Sequence, residues 1–152
     1  MKISAKSDYA VRAAAELAAA DSGRPVKAEA LANAQGIPAN FLENILAALR
    51  NSGIVRSQRG AEGGYLLARD AGAVSLADVI RAVDGPLAAV RGEAPEAQEY
   101  PGAAAEVAGV WVAVRAALRE VLERTTLADL VAHDLPAHVR ALLEDPEAWS
   151  RR

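Results

Sequence analysis

Residues 49–68, Leu-Arg-Asn-Ser-Gly-Ile-Val-Arg-Ser-Gln-Arg-Gly-Ala-Glu-Gly-Gly-Tyr-Leu-Leu-Ala, constrain the fold more than any other stretch of this chain. A helical pattern stops at Gly53. Two short extended runs follow, separated by a tip with three glycines in five residues, Gly60, Gly63 and Gly64, and with Arg59 at its start. Glycine is needed where a turn demands φ > 0 or where the backbone closely approaches another group. A helix that runs directly into a basic hairpin is the pattern of a helix with a wing.

The segment before it supplies the rest of a helix-turn-helix. Residues 5–21 predict a first helix, with Ser4 or Ser7 near its start and Ala10, Ala13, Ala14, Leu17 and Ala18 on one face. Ser22-Gly-Arg-Pro25 breaks it. A second helix over Lys27–Gln35 stops at Gly36, and Pro38 suits the first position of a third. At about 100° per residue, that third helix, Pro38–Ser52, places Phe41, Leu42, Ile45, Leu46 and Leu49 on one side. Asn40, Glu43, Asn44, Ala47, Arg50 and Asn51 fall on the other. A short helix, a tight turn and an amphipathic helix make the motif.

The polar face has the chemistry to read base edges. Asparagine bonds adenine bidentately and glutamate accepts from cytosine N4 in the major groove. Arg50 is placed for phosphate. Arg59, with Arg56 nearby, suits a narrow minor groove, whose negative potential draws arginine in. Glu62 opposes this at the tip. The competing reading is a solvated helix face beside an ordinary surface hairpin.

After the hairpin, Ser75-Leu-Ala-Asp78 is a capping box that opens a helix with Leu76, Val79, Ile80 and Val83 inward, stopped by Gly85-Pro86. Leu87–Gly102 reads as a linker rich in Glu, Pro and Gly. A long helix over Ala103–Arg124, about 30 Å at 1.5 Å per residue, carries the stripe Val107, Val110, Trp111, Val114, Leu118, Val121 and Leu122. A second capping box, Thr126-Leu-Ala-Asp129, starts a helix broken at Leu135-Pro136, and Ala137–Glu144 predicts a last short one. The expected organisation is a mainly α, winged helix-turn-helix domain at 1–85 with a two-stranded wing, a linker at 86–102, and a dimerisation helix with C-terminal helices at 103–152.

Composition narrows the function. The chain has 152 residues, 52% of them hydrophobic, and much of that is alanine, so the core is thin per residue. Such a chain is expected to need a partner to cover its apolar surface. There is no cysteine, which excludes disulfides, thiolate zinc sites, cysteine-held iron–sulfur clusters and thiol redox sensing. The N-terminus lacks the apolar core of a signal peptide and no apolar run is long enough to cross a bilayer; the cytoplasm is the expected location. Residues 1–70 carry 9 Lys/Arg against 7 Asp/Glu, a net +2, while residues 71–152 carry 8 against 13, a net −5. That difference is too small to decide anything alone. His133 and His138 are the only histidines and Pro136 lies between them, so they share no helical face and no metal site is expected. No nucleophile elbow, phosphate loop or zinc-hydrolase motif is present, so no catalytic residue is assigned.

The run from Asn40-Phe-Leu-Glu-Asn-Ile-Leu through Leu49-Arg-Asn-Ser-Gly to the wing resembles the Rrf2 family of bacterial winged-helix regulators. Lys6-Ser-Asp-Tyr-Ala-Val-Arg, Ile80-Arg-Ala-Val-Asp-Gly-Pro and Leu127-Ala-Asp-Leu130 extend the resemblance over nearly the whole chain, and the glycine-rich wing is its most specific part. The resemblance implies a homodimeric, sequence-specific transcriptional regulator, a repressor by expectation, on double-stranded DNA with an inverted-repeat operator. It implies Glu43 and Asn44 at major-groove bases, Arg59 and Gly60 in the minor groove, and Lys27 at backbone phosphate. It also implies that the long helix pairs with its copy. Better-known members place three cysteines between the fourth and the long helix to hold an iron–sulfur cluster. Here that segment is Val90-Arg-Gly-Glu-Ala-Pro-Glu-Ala-Gln-Glu-Tyr-Pro-Gly102, so no cluster and no other cofactor is expected, and Asp8, where some members have a fourth ligand, is expected to serve only the N-terminus of helix one. A small-molecule or protein effector at the linker stays open. So does a winged-helix module for protein–protein contact, or a small-molecule-responsive regulator whose wing reads no bases.

Overall fold

The computed structural model describes residues 2–20 and 23–151. It is mainly helical, with α1 (Ala5–Ala19), α2 (Ala28–Gln35), α3 (Ala39–Asn51), β1 (Val55–Gln58), β2 (Gly64–Leu67), α4 (Leu76–Asp84), α5 (Val107–Leu122), α6 (Leu127–Val131) and α7 (Ala137–Leu143). Short 3₁₀ turns occur at Ala71–Ala73, Pro95–Ala97, Gly102–Ala104 and Pro146–Trp149. Ser4 caps α1 by accepting the Ser7 amide at 2.9 Å. Asp21, the expected last residue of that helix, and Ser22 lie outside the described residues.

The core forms where the apolar faces of α1, α3 and α4 meet. Ala10, Ala13 and Ala14 are fully buried, so α1 lies close against its neighbours, and Leu31, Leu42, Ile45, Leu46, Leu49 and Val79 fill the space around it. Ala18 is only partly buried against this core. Phe41 departs from expectation. It lies in the first turn of α3, is 42% exposed, and meets the Tyr9 ring edge-on, ring centroids 5.7 Å apart and planes at 74°.

Two non-local links complete the fold. Val26 adds a bridge to the wing: its amide donates to the Tyr65 carbonyl at 2.9 Å and its carbonyl accepts from the Tyr65 amide at 2.8 Å. The two capping boxes, intact at Ser75 and Thr126, bridge each other; the Leu76 amide donates to the Thr125 carbonyl at 2.9 Å and the Leu127 amide to the Val74 carbonyl at 3.0 Å. Leu127 is thereby fully buried in the core of the first unit. The expected division at 85 and 102 therefore describes chain order, not core membership, because α6 returns to the helix-turn-helix.

The linker is more ordered than its composition suggests. Leu87, Pro95 and Gln98 are buried, and Val90 and Glu93 close a small bridged turn. The long helix is shorter than expected because its first residues form the Gly102–Ala104 3₁₀ turn and no side chain caps α5. None of the sixteen residues of α5 is buried.

Candidate nucleic-acid interface

The α2–α3 turn sets the angle of the recognition helix. Gly36 adopts the left-handed conformation at φ 61°, ending α2. Ile37 drops into the core and α3 starts after Pro38. Burial of Leu42, Ile45, Leu46 and Leu49 then forces the other face outward. Asn40, Glu43, Asn44, Arg50 and Asn51 are all exposed, with Ala47 half-buried between them. Asn44 donates from Nδ2 to the Asn40 carbonyl at 3.1 Å, which leaves its Oδ1 free to accept.

The wing follows through a turn at Gly53. The strands pair antiparallel with Val55 opposite Leu67, Arg56 opposite Leu66, Ser57 opposite Tyr65 and Gln58 opposite Gly64. Only Val55 of β1 is buried, which explains the polar run Arg56–Arg59: apart from Val55 the strand faces solvent. The tip is closed by the Gly63 amide donating to the Gly60 carbonyl at 3.0 Å.

The glycines divide by role. A Cβ on Gly63 would lie 2.3 Å from the Gln58 carbonyl oxygen, and one on Gly64 would lie 2.5 Å from that of Val26. Both have a steric reason inside the chain. Gly60, at φ 109°, has open space around it and is exposed beside Arg59. The contact at Gly64 also brings the backbone of Lys27, the residue before α2, against the tip end of β2, since the same Cβ would lie 3.1 Å from the Lys27 amide. Sequence spacing gave no hint of this approach. Arg56 shares a polar concavity of about 340 Å³ with Arg24, Arg69 and Asp70, and neither of those arginines stands out in the sequence.

The cations sort by partner. Arg12 pairs with Asp8 at 2.9 Å, Arg115 with Glu96 at 2.7 Å and Arg140 with Asp134 at 2.6 Å; Arg81 pairs with Glu123 and Arg124 with Glu120. Lys27, Arg50, Arg56 and Arg59 have no carboxylate partner among the described residues. Unpaired exposed cations around a polar helix face are what a polyanion requires.

The residues expected at a dimer seam lie along α5. Val110 and Trp111 are exposed, and Val107, Val114, Leu118 and Val121 are half-buried. Leu118 turns toward Ile80 and Leu87 at the end of α4. There, Asp84 accepts the Ser7 hydroxyl at 2.6 Å and the Ser4 hydroxyl, while Lys6 donates to the Val83 carbonyl at 2.8 Å. Burial pushes the Asp84 carboxyl up, but the two hydroxyls and the Lys6 charge outweigh it and hold it below the ordinary value. His133 is exposed; the Nε2 atom of His138 is buried without a hydrogen-bond partner among the described residues.

A helix-turn-helix with an antiparallel wing and a rim of unpaired cations defines a winged-helix DNA-binding protein. The family model described as "Rrf2: Iron-dependent Transcriptional regulator" matches residues 3–133, and the chain belongs to that family. It is 51% identical over 148 residues to the Mycobacterium tuberculosis (strain H37Rv) protein named "Putative HTH-type transcriptional regulator Rv1287", covering 97% of this chain and 92% of that one. It is 35% identical over 136 residues to the HTH-type transcriptional regulator CymR of Bacillus subtilis, covering 88% and 91%. Its fold matches the structure of CymR, the global cysteine regulator of B. subtilis, with a TM-score of 0.74 at 34% identity over 88% of this chain and 98% of that one. It matches T. potens IscR with a TM-score of 0.69 at 32% identity over 100% and 93%. The protein is thus a DNA-binding transcriptional regulator, of a family that is not enzymatic. No helix among the described residues is long and apolar enough to cross a membrane.

Proposed function

We propose that the protein is a cytoplasmic, homodimeric repressor that binds an inverted-repeat operator and carries no iron–sulfur cluster. Asn40, Glu43 and Asn44 read base edges, Arg59 enters the minor groove with Gly60 letting it approach, and Lys27, Arg50 and Arg56 hold phosphates. Gly63 and Gly64 shape the hairpin that presents Arg59. The observation that carries the reading is that the exposed cations Arg50 on α3, Lys27 before α2 and Arg56 and Arg59 on the wing have no carboxylate partner among the described residues.

The dimer rests on α5, a sixteen-residue helix with no buried residue. Its seam is the stripe Val107, Val110, Trp111, Val114, Leu118 and Val121, of which Val110 and Trp111 are the most exposed. Val107, Trp111 and Val114 also face the linker. A two-fold axis through α5 sets two recognition helices about 34 Å apart, one turn of DNA.

The iron–sulfur cluster of better-known members does not fit these residues. Thiolates are the usual ligands and the chain has none. In the corresponding segment Glu96 is held by Arg115, and Glu93 accepts from Gln98 at 3.1 Å. The Arg115 guanidinium keeps the Glu96 carboxyl below its ordinary value.

Selection of genomic fragments with the purified chain gives the operator. On that operator, Arg59→Ala is expected to weaken binding by at least about 1 kcal/mol and to flatten the salt dependence. Unchanged affinity would remove the wing from the mechanism. Glu43→Ala should relax base preference more than it lowers affinity; an unchanged preferred sequence would remove Glu43 from base reading.

A further inference from the structure

Arg91 lies far along the chain from the elements assigned to DNA. No carboxylate among the described residues pairs with it. It stands at the edge of a cleft of about 650 Å³ between the linker and α5, walled by Val90, Tyr100, Val107, Trp111 and Val114. That volume is typical of small-molecule sites, as is a mostly apolar and aromatic wall with one oriented charge.

Three features show a constructed site. The Arg91 guanidinium donates to Gln98 Oε1 at 3.0 Å, and the Gln98 amide donates in turn to Glu93 Oε2 at 3.1 Å. Gln98 is 8% exposed, so a buried amide aims the charge. The linker is fastened to α5 by the 2.7 Å pair of Glu96 with Arg115, whose side chain is 16% exposed. Ala88 and Arg91 both adopt left-handed backbone, at φ 54° and 52°. Residues with side chains hold that conformation only where their surroundings over-determine it, and such strain clusters at ligand clamps and switches.

We propose that this cleft binds a small monocarboxylate with an apolar tail or ring. The carboxylate pairs with Arg91, whose planar fork matches it. The apolar body lies against Trp111, Tyr100 and Val114 and leaves water. An alcohol of the same length would gain the second contribution without the first.

The test uses the full chain and no DNA, so it stands or falls separately from the operator reading. Trp149→Phe leaves Trp111 as the sole tryptophan. Its emission is followed while octanoate is added, with 1-octanol as the uncharged control. Octanoate is expected to shift the emission saturably and to bind about tenfold tighter than octanol. Arg91→Gln is expected to remove that preference and leave octanol binding unchanged; Arg91→Lys should restore part of it. Gln98→Ala should weaken octanoate several-fold and octanol little. Absence of a saturable change, equal affinity for acid and alcohol, or an Arg91→Gln variant that keeps the preference overturns the proposal.

Discussion

The recognition helix and the long helix are built from similar material and end up in opposite states. α3 spans 13 residues and buries Leu42, Ile45, Leu46 and Leu49; α5 spans 16 and buries none. The difference lies in their neighbours. α3 is packed between α1 and α4, with Leu127 reaching the same core from α6. α5 meets the linker on one flank and leaves Val110 54% exposed on another. The first region is finished within one chain. The second is not, and the proposed dimer would cover that face.

The contrast can be broken at its strongest point first. Leu127→Ala empties a fully buried position in the finished core and is expected to cost about 2–5 kcal/mol in urea unfolding. A loss below about 1 kcal/mol would mean that α6 does not belong to that core. Gly64→Ala forces a Cβ against the Val26 carbonyl, where only backbone can yield. It should cost about 1–3 kcal/mol, seen as a lower unfolding midpoint.

Asp84→Asn probes the latch between α1 and α4. Its carboxyl lies below the ordinary value when folded, so the stability it contributes is present above that value and is lost as the pH falls through the lowered one. The group is exposed, so the expected cost at pH 7 is only on the order of 1 kcal/mol. The gap between parent and variant should narrow below about pH 4. A gap independent of pH would show that the charge is not what holds the latch. The smallest effect is expected at α5: Val110→Glu should leave the unfolding of the single chain within about 0.5 kcal/mol while disrupting its association.

What could be read from the sequence follows the same divide. Local periodicity and capping identify α1, α2, α3, α4 and the wing, because the residues that decide them are three or four apart. Ser75-Leu-Ala-Asp78 and Thr126-Leu-Ala-Asp129 are visible as separate boxes, but their bridge joins residues far apart in the chain, which no short window contains. The same holds for Val26 with Tyr65, and so for Lys27 beside the tip end of β2. Phe41 satisfied the helical stripe and is still exposed, since period alone does not say how far a neighbour extends. The linker reads as loop by composition; its order comes from Gln98, Arg91 and the Glu96–Arg115 pair, none of which has a local signature. The polar face of α3 and Arg59 were legible as candidates. Their lack of ion-pair partners required the fold.

The most direct test of the account is sedimentation equilibrium of the chain, alone and on a duplex selected from genomic fragments. The account predicts twice the 15.8 kDa chain mass for the free protein, two chains per duplex, and loss of both for Val110→Glu. A free protein of single-chain mass at micromolar concentration that binds the duplex one to one, unaltered by Val110→Glu, would contradict it.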